Sequence, residues 1–171
     1  MKNINQSKYW QKRLAAEPDN YLLERFVSMT SHKQRRPPSN QTEFEDQNPV
    51  ELGRGGHCNV ALEVLLELYP GGEPYKLTDN GKDYAHVFLM FNGKPLDICG
   101  VISLGEMKTH YKNDSLFAKA ISLEDVQKYF HGHQSPEETM RLKAHFKKHI
   151  FANLEKKFPT PQTLNVSERQ F

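Results

Sequence analysis

The 171-residue chain is poor in the features that mark secreted, membrane-spanning or nucleic-acid-binding proteins. Its two cysteines are too few for a disulfide framework, which favours a reducing, intracellular compartment. No segment approaches the roughly 20 apolar residues of a membrane span, and the N-terminus lacks the apolar core of a signal peptide. The net charge is only +2, so no bulk field favours nucleic acid or a membrane surface as a partner.

These absences favour a protein that is cytoplasmic in the cell that makes it. If it acts on another cell, delivery must follow a route that needs no signal peptide. The length suits one domain with a substantial core, and the chain shows no internal repeat. We expect a single α+β domain over residues 1–158 followed by a flexible tail at 159–171. Within it we distinguish a helical N-terminal cover, a loop, a catalytic core and C-terminal helices (1–36, 37–50, 51–103 and 122–158).

A buried helix is predicted from Cys58 to Tyr69. Polar residues recur there only at every fourth position (Asn59, Glu63, Glu67), and nearly all the others are apolar. A glycine-rich segment at 53–56 precedes this helix, and the sequence Pro-Gly-Gly at 70–72 ends it. Cys58 therefore lies where free backbone N–H groups and the positive end of the helix dipole favour a thiolate.

A β-hairpin is predicted around Asn92-Gly93, the strongest short signal for a two-residue turn. A two-residue loop pairs Phe91 with Lys94, Leu89 with Leu96, and Phe88 with Asp97. Because side chains alternate between the two faces of a strand, His86 shares a face with Phe88 and hence with Asp97. His86 and Asp97 are then diagonal neighbours about 7–8 Å apart, close enough for their side chains to meet. The register thus predicts a carboxylate behind a histidine.

The order of these elements resembles the papain-like fold. In that fold a cysteine begins a buried helix, a later strand carries a histidine, and a neighbouring strand carries a polar residue. This group includes cysteine peptidases, cell-wall amidases, transglutaminase-like enzymes and effector deamidases. The resemblance covers about fifty residues and depends on the order of the elements rather than on a long signature. It implies that Cys58 is the nucleophile, His86 the general base and Asp97 its orienting partner. It also implies that the helix that carries Cys58 packs on an antiparallel sheet.

The family also commonly supplies an oxyanion donor from a side chain upstream of the cysteine. No glutamine stands at the short spacing found in papain, and the nearest amides are Gln47 and Asn48. Arg54 is a candidate for holding a substrate carboxylate. His57, next to the nucleophile, is a candidate for shaping the site or donating a hydrogen bond.

The resemblance implies a cysteine-dependent amide hydrolase without a cofactor, acting on a protein or peptide as a peptidase or a glutamine deamidase. A small chain of this kind suits a bacterial effector or toxin whose substrate is a host or target-cell protein. Two alternatives remain open: a transglutaminase-like acyltransferase with the same triad, and a binding protein of this fold with an unreactive Cys58.

Two rival interpretations concern other residues. Cys99 is an alternative thiol, because an unbroken strand after Asp97 would place it opposite His86, although without the field of a helix end. Four histidines suggest a zinc site: His131, His133, His145 and His149. The pair His145 and His149, however, lacks the glutamate of the metalloprotease motif. We therefore favour an active site without a metal.

The flanking segments complete the expected α+β architecture. Residues 7 to about 35 predict two helices, with Leu22, Leu23, Phe26, Val27 and Met29 on the second. A short strand is predicted at 75–78, and residues 101–103 are expected to extend the Asp97 strand. Capping patterns at Ser122 and Ser135 predict two C-terminal helices, the second running to about Phe158.

Overall fold

The computed structural model describes residues 6–26 and 44–159, which form an α+β fold. In this part of the chain the helices are α1 Gln6–Ala16, α2 Pro49–Arg54, α3 Cys58–Leu68, α4 Leu104–Tyr111, α5 Leu123–Tyr129 and α6 Pro136–Lys157. The strands are β1 Glu73–Thr78, β2 His86–Phe91, β3 Lys94–Asp97, β4 Gly100–Val101 and β5 Phe117–Ala120. They form one antiparallel sheet in the order β4-β3-β2-β1-β5.

The predicted hairpin register is confirmed. Phe91 lies opposite Lys94, and Leu89 lies opposite Leu96. Asn92 and Gly93 both have positive φ, 48° and 74°, as a two-residue turn between twisted strands requires. This register places His86 at the start of β2 and Asp97 at the end of β3.

The predicted buried helix is also confirmed. Helix α3 packs against β2 and β3 on one side and α6 on another. Its apolar residues, such as Leu62 and Leu65, are fully buried in one cluster with Phe88 of the sheet and Phe146 of α6. Removal of this apolar surface from water, at about 25 cal/mol per Å², fixes the helix that begins with Cys58 against the strands that carry His86 and Asp97.

The prediction of a second N-terminal helix is wrong for residues 18–26, the part of that segment that the structure describes. Residues 18–21 form a 3₁₀ turn, and residues 22–26 run without helical structure along β4. There the Leu23 carbonyl accepts from Val101 N–H at 2.8 Å, and Phe26 N–H donates to the Cys99 carbonyl at 3.2 Å. Hydrogen bonds to another part of the chain replace those of a helix. The remainder of that prediction, including Val27 and Met29, lies outside the described residues.

Three further elements differ from the expectation. Residues 101–103 do not extend β3, because the chain turns at Ile98-Cys99 and β4 pairs back on β3. Helix α2 forms within a segment that we assigned to a loop and a glycine-rich approach, since Asn48 caps it and Pro49 occupies its first turn. Helix α4, with a Ser103–Glu106 capping box, and strand β5 were not predicted.

The two C-terminal helices are confirmed together with their caps. The Ser122 side chain accepts from Asp125 N–H at the start of α5. Ser135 and Glu138 form the reciprocal capping box of α6. The buried face of α6 carries the expected apolar residues, which are Leu142, Phe146, Ile150 and Leu154. Of the predicted tail, residues 160–171 lie outside the described part.

The close approach of residues 22–26 to β4 gives a test of the fold. Gly100 has φ of 92°, and a Cβ atom there would overlap the Glu24 carbonyl oxygen. We expect Gly100→Ala to lower the free energy of unfolding by about 2 kcal/mol or more, measured by urea denaturation. Gly105→Ala is the matched control, because its Cβ meets only Ser103 Oγ at 3.8 Å, and it should be neutral or slightly stabilising. Equal effects of the two substitutions would contradict the packing described here.

Candidate active site

Three elements of the core bring Cys58, His86 and Asp97 together. Cys58 is the first residue of α3, His86 the first of β2 and Asp97 the last of β3. All three side chains are buried, with residue exposures of 6%, 1% and 2%. Buried ionisable groups are rare unless they are paired, so this cluster stands out from the apolar core around it.

The Asp97 carboxylate is held by two hydrogen bonds. One oxygen, Oδ1, accepts from the Cys99 backbone N–H at 2.7 Å. The other, Oδ2, lies 3.2 Å from His86 Nε2. Because an ionised carboxylate can only accept hydrogen bonds, Nε2 carries the proton in this pair. The other ring nitrogen, Nδ1, is then the one left to exchange a proton.

His86 is poised to hold a positive charge between the other two residues. Burial by itself lowers the pKa of His86, but the hydrogen bonds and charges of Asp97 and Cys58 outweigh burial and raise it to about 9. Nδ1 is buried and has no partner of regular hydrogen-bond geometry among the described residues. The Cys58 thiol also contributes to the raised pKa of His86, so it lies near the imidazole ring.

Cys58 also lies at a helix start that offers free N–H groups. The first α3 hydrogen bonds to the His57 carbonyl come from Val60 and Ala61. Among the described backbone hydrogen bonds, none is donated by the Cys58 N–H. An N–H group beside the sulfur, at the positive end of an 11-residue helix, is suited to stabilise a developing negative charge.

The residues predicted to bind the substrate or the oxyanion make different contacts from one another. The Asn48 side-chain oxygen caps α2 by accepting from Val50 and Glu51 N–H groups, and the Gln47 carbonyl oxygen lies 2.8 Å from His145 Nε2. No contact described for either amide involves Cys58. Arg54 is buried and pairs with Glu51 at 2.7 Å. Burial raises the pKa of Cys99 and of Tyr111, and the charge of Arg54 opposes part of that rise.

His57 joins the site to the loop before α6. Its Nδ1 accepts from Gln134 Nε2 at 3.0 Å, and Gln134 Oε1 accepts from Asn59 Nδ2 at 3.1 Å. Burial lowers the pKa of His57, and the nearby charge of His133 lowers it further, while Glu138 opposes the change. Through Gln134, His57 is linked to Asn59 in the first turn of α3.

Tyr111 and Gln134 are neighbours of the site that the sequence analysis missed. The Tyr111 ring lies 5.6 Å from the His86 ring, and its hydroxyl is buried with no hydrogen-bond partner among the described residues. Burial, followed by the negative charges of Cys58 and Asp97, raises the pKa of Tyr111. The one sequence signal for Tyr111 is the Ser103–Glu106 capping box, because it marks the start of the short helix α4 that ends at this tyrosine.

The rival interpretations find less support. Cys99 lies in the turn after β3 rather than on the strand, so it does not face His86 as the unbroken register implied. Burial and the Asp97 charge raise the pKa of Cys99, which keeps it a thiol. In residues 6–26 and 44–159 no group of three or more histidine, cysteine or acidic side chains could hold a metal ion.

Comparison with protein-family models, with curated proteins and with solved structures gives no match to this chain. No helix within the described ranges is long and apolar enough to cross a membrane.

Proposed function

We propose that the protein is a papain-like, cysteine-dependent amide hydrolase that acts on a protein or peptide through Cys58, His86 and Asp97. The observation that carries this proposal is the buried His86, whose Nε2 lies 3.2 Å from a fixed carboxylate oxygen and whose pKa is raised by both Asp97 and the Cys58 thiol. A general base needs both a proton donor in front and an orienting acceptor behind.

The first step is removal of the thiol proton. Asp97 holds Nε2–H, so His86 Nδ1 takes the proton from Cys58 and an imidazolium–thiolate pair forms. A pKa of about 9 for His86 keeps this imidazolium charged at neutral pH. Asp97 stabilises the charge through its contact with Nε2.

The thiolate then attacks an amide carbon, and the Cys58 N–H stabilises the oxyanion. His86 donates its proton to the leaving nitrogen, the C–N bond breaks, and an amine or ammonia departs from a thioester. Water attacks the thioester with His86 again as base, which releases the carboxylic acid and restores the thiol. When an amine replaces water, the same residues catalyse acyl transfer.

Within this proposal the substrate is a protein of a host or target cell, and the chain is an effector or toxin that is delivered to that cell. The chain would be cytoplasmic before delivery. Neither nucleic acid nor a membrane takes part in the chemistry, which needs no cofactor.

The test uses the purified full chain and a mixture of unfolded proteins and glutamine-containing peptides. We expect mass spectrometry to show either new peptide termini or conversion of glutamine to glutamate, with both absent in Cys58→Ala. Cys99→Ala is the matched control, because it removes the other thiol and should retain the activity. Products that form only when an added amine is present would assign acyl transfer instead. Trapping of a thioester is the second measurement, and its absence together with no product would reject the enzyme in favour of a binding protein.

A further inference from the structure

A cavity lined by lysines lies between the β5 edge of the sheet and α5, and neither Cys58, His86 nor Asp97 lines it. We call it the lysine cavity; it measures about 520 Å³ and its charged and aromatic lining includes Lys76, Lys82, Lys119, Lys128, Asp125 and Tyr129. This volume is within the usual range for small-molecule sites. Four lysines and one carboxylate line it, with Lys128 also paired to Glu124 at 2.8 Å, although the whole chain has a net charge of only +2.

The positions of two of these lysines destabilise the fold. Lys76 of β1 and Lys119 of β5 lie directly opposite each other in the antiparallel register. Like charges at such a position repel. Burial lowers the pKa of Lys76, and the charge of Lys119 lowers it further, while Asp83 and Asp125 oppose the change. An anion bound between the two ammonium groups would relieve this repulsion.

Lys76 is also held in place before any ligand arrives. Its Nζ donates to the Gly81 and Lys82 carbonyl oxygens at 2.7 and 3.1 Å, and it lies 4.2 Å from the centre of the Tyr84 ring. A charge that is already ordered binds without a further loss of side-chain entropy. Lys119, in contrast, is exposed on an edge strand, where the core does not require it.

We propose that the lysine cavity binds the phosphate groups of a multiply charged phosphate ligand. Several ammonium groups in one cavity suit phosphates, which carry more charge and more acceptor oxygens than a single carboxylate. Such a ligand has two sources: a free polyphosphate chain or a nucleoside polyphosphate. A base has a surface for stacking, because Tyr129 stacks on Tyr84 at 3.9 Å between ring centres and stays 42% exposed.

The experiment is calorimetric titration of the full chain with tripolyphosphate, ATP and adenosine in buffer without divalent cations. We expect saturable binding of the first two and a loss of affinity of at least about tenfold in Lys119→Glu. Lys148→Glu is the matched control, because it makes the same charge change at an exposed position outside the lysine cavity and should alter affinity less than about twofold. Tighter binding of ATP than of tripolyphosphate assigns a nucleotide, and equal binding assigns the phosphate chain.

The Tm of Lys119→Glu distinguishes a loss of ligand binding from damage to the fold. Lys119→Glu places an opposite charge across from Lys76, so the Tm without ligand should rise by about 1–4 °C while binding is lost. A fall in Tm would mean that Lys119 supports the fold, and the proposal would fail. It would also fail if neither phosphate compound binds saturably, if both lysine variants lose affinity equally, or if adenosine alone binds as well as ATP.

Discussion

Replacing His86 should turn Cys58 into an ordinary thiol. In the native chain we expect iodoacetamide to alkylate Cys58 at a rate that is nearly constant from pH 6 to about 9, where His86 loses its proton. Without the imidazole, only about 1% of a free thiol is ionised at pH 6.5. The lower nucleophilicity of a stabilised thiolate offsets part of this difference, so His86→Ala should slow labelling about tenfold or more at pH 6.5.

The shape of the pH profile is the decisive measurement, because a buried sulfur can also be slow for lack of access. In His86→Ala the rate should rise about tenfold for each pH unit below pH 8, as thiolate forms. His86→Gln, which is closer in size, controls for the cavity that alanine leaves, and circular dichroism checks the fold of both. Mass spectrometry should locate the label on Cys58 and not on the fully buried Cys99. If the native chain shows the rising profile of a free thiol, the ion pair is excluded.

The hairpin that carries this pair could be predicted because its determinants are local. Asn92-Gly93 fixes the turn, the turn fixes the register, and the register brings His86 and Asp97 to one face. The buried helix was equally predictable, since apolar residues on nearly every side leave it no stable position except the core. Elements with strong local signals thus carry the three residues of the candidate site.

The parts that were missed depend on contacts between distant segments. Leu22 and Leu23 have helical spacing, yet hydrogen bonds to β4 and to the Tyr69 hydroxyl hold the backbone out of a helix. The short β4 exists because it pairs with β3, and two-residue strands have no periodicity to detect. Tyr111 reaches His86 from α4, which no spacing rule connects to the hairpin. Local pattern therefore predicted the helix and the hairpin that carry Cys58, His86 and Asp97, but not the residues around them.

Asp97→Asn should lower turnover by about 10³-fold while leaving the fold intact. The reason lies in the two hydrogen bonds of the carboxylate, to the Cys99 N–H and to His86 Nε2. An asparagine has one acceptor oxygen, and the Cys99 N–H requires it. The amide NH₂ group then faces Nε2, which must become an acceptor and leaves the ring proton on Nδ1. A base that already carries its proton cannot take another from Cys58, and loss of the correct tautomer costs about 10⁴-fold in the best-studied serine enzyme triad.

Two measurements distinguish this mechanism from damage to the core. The alkylation profile of Asp97→Asn should resemble that of His86→Ala, whereas the midpoint of urea unfolding should move less than it does for Gly100→Ala. The double variant Asp97→Asn/His86→Ala should label no more slowly than His86→Ala alone, because Asp97 acts on the sulfur only through the imidazole. An Asp97→Asn chain that keeps a flat profile and native turnover would remove the carboxylate from the mechanism and leave Cys58 and His86 to act as a dyad.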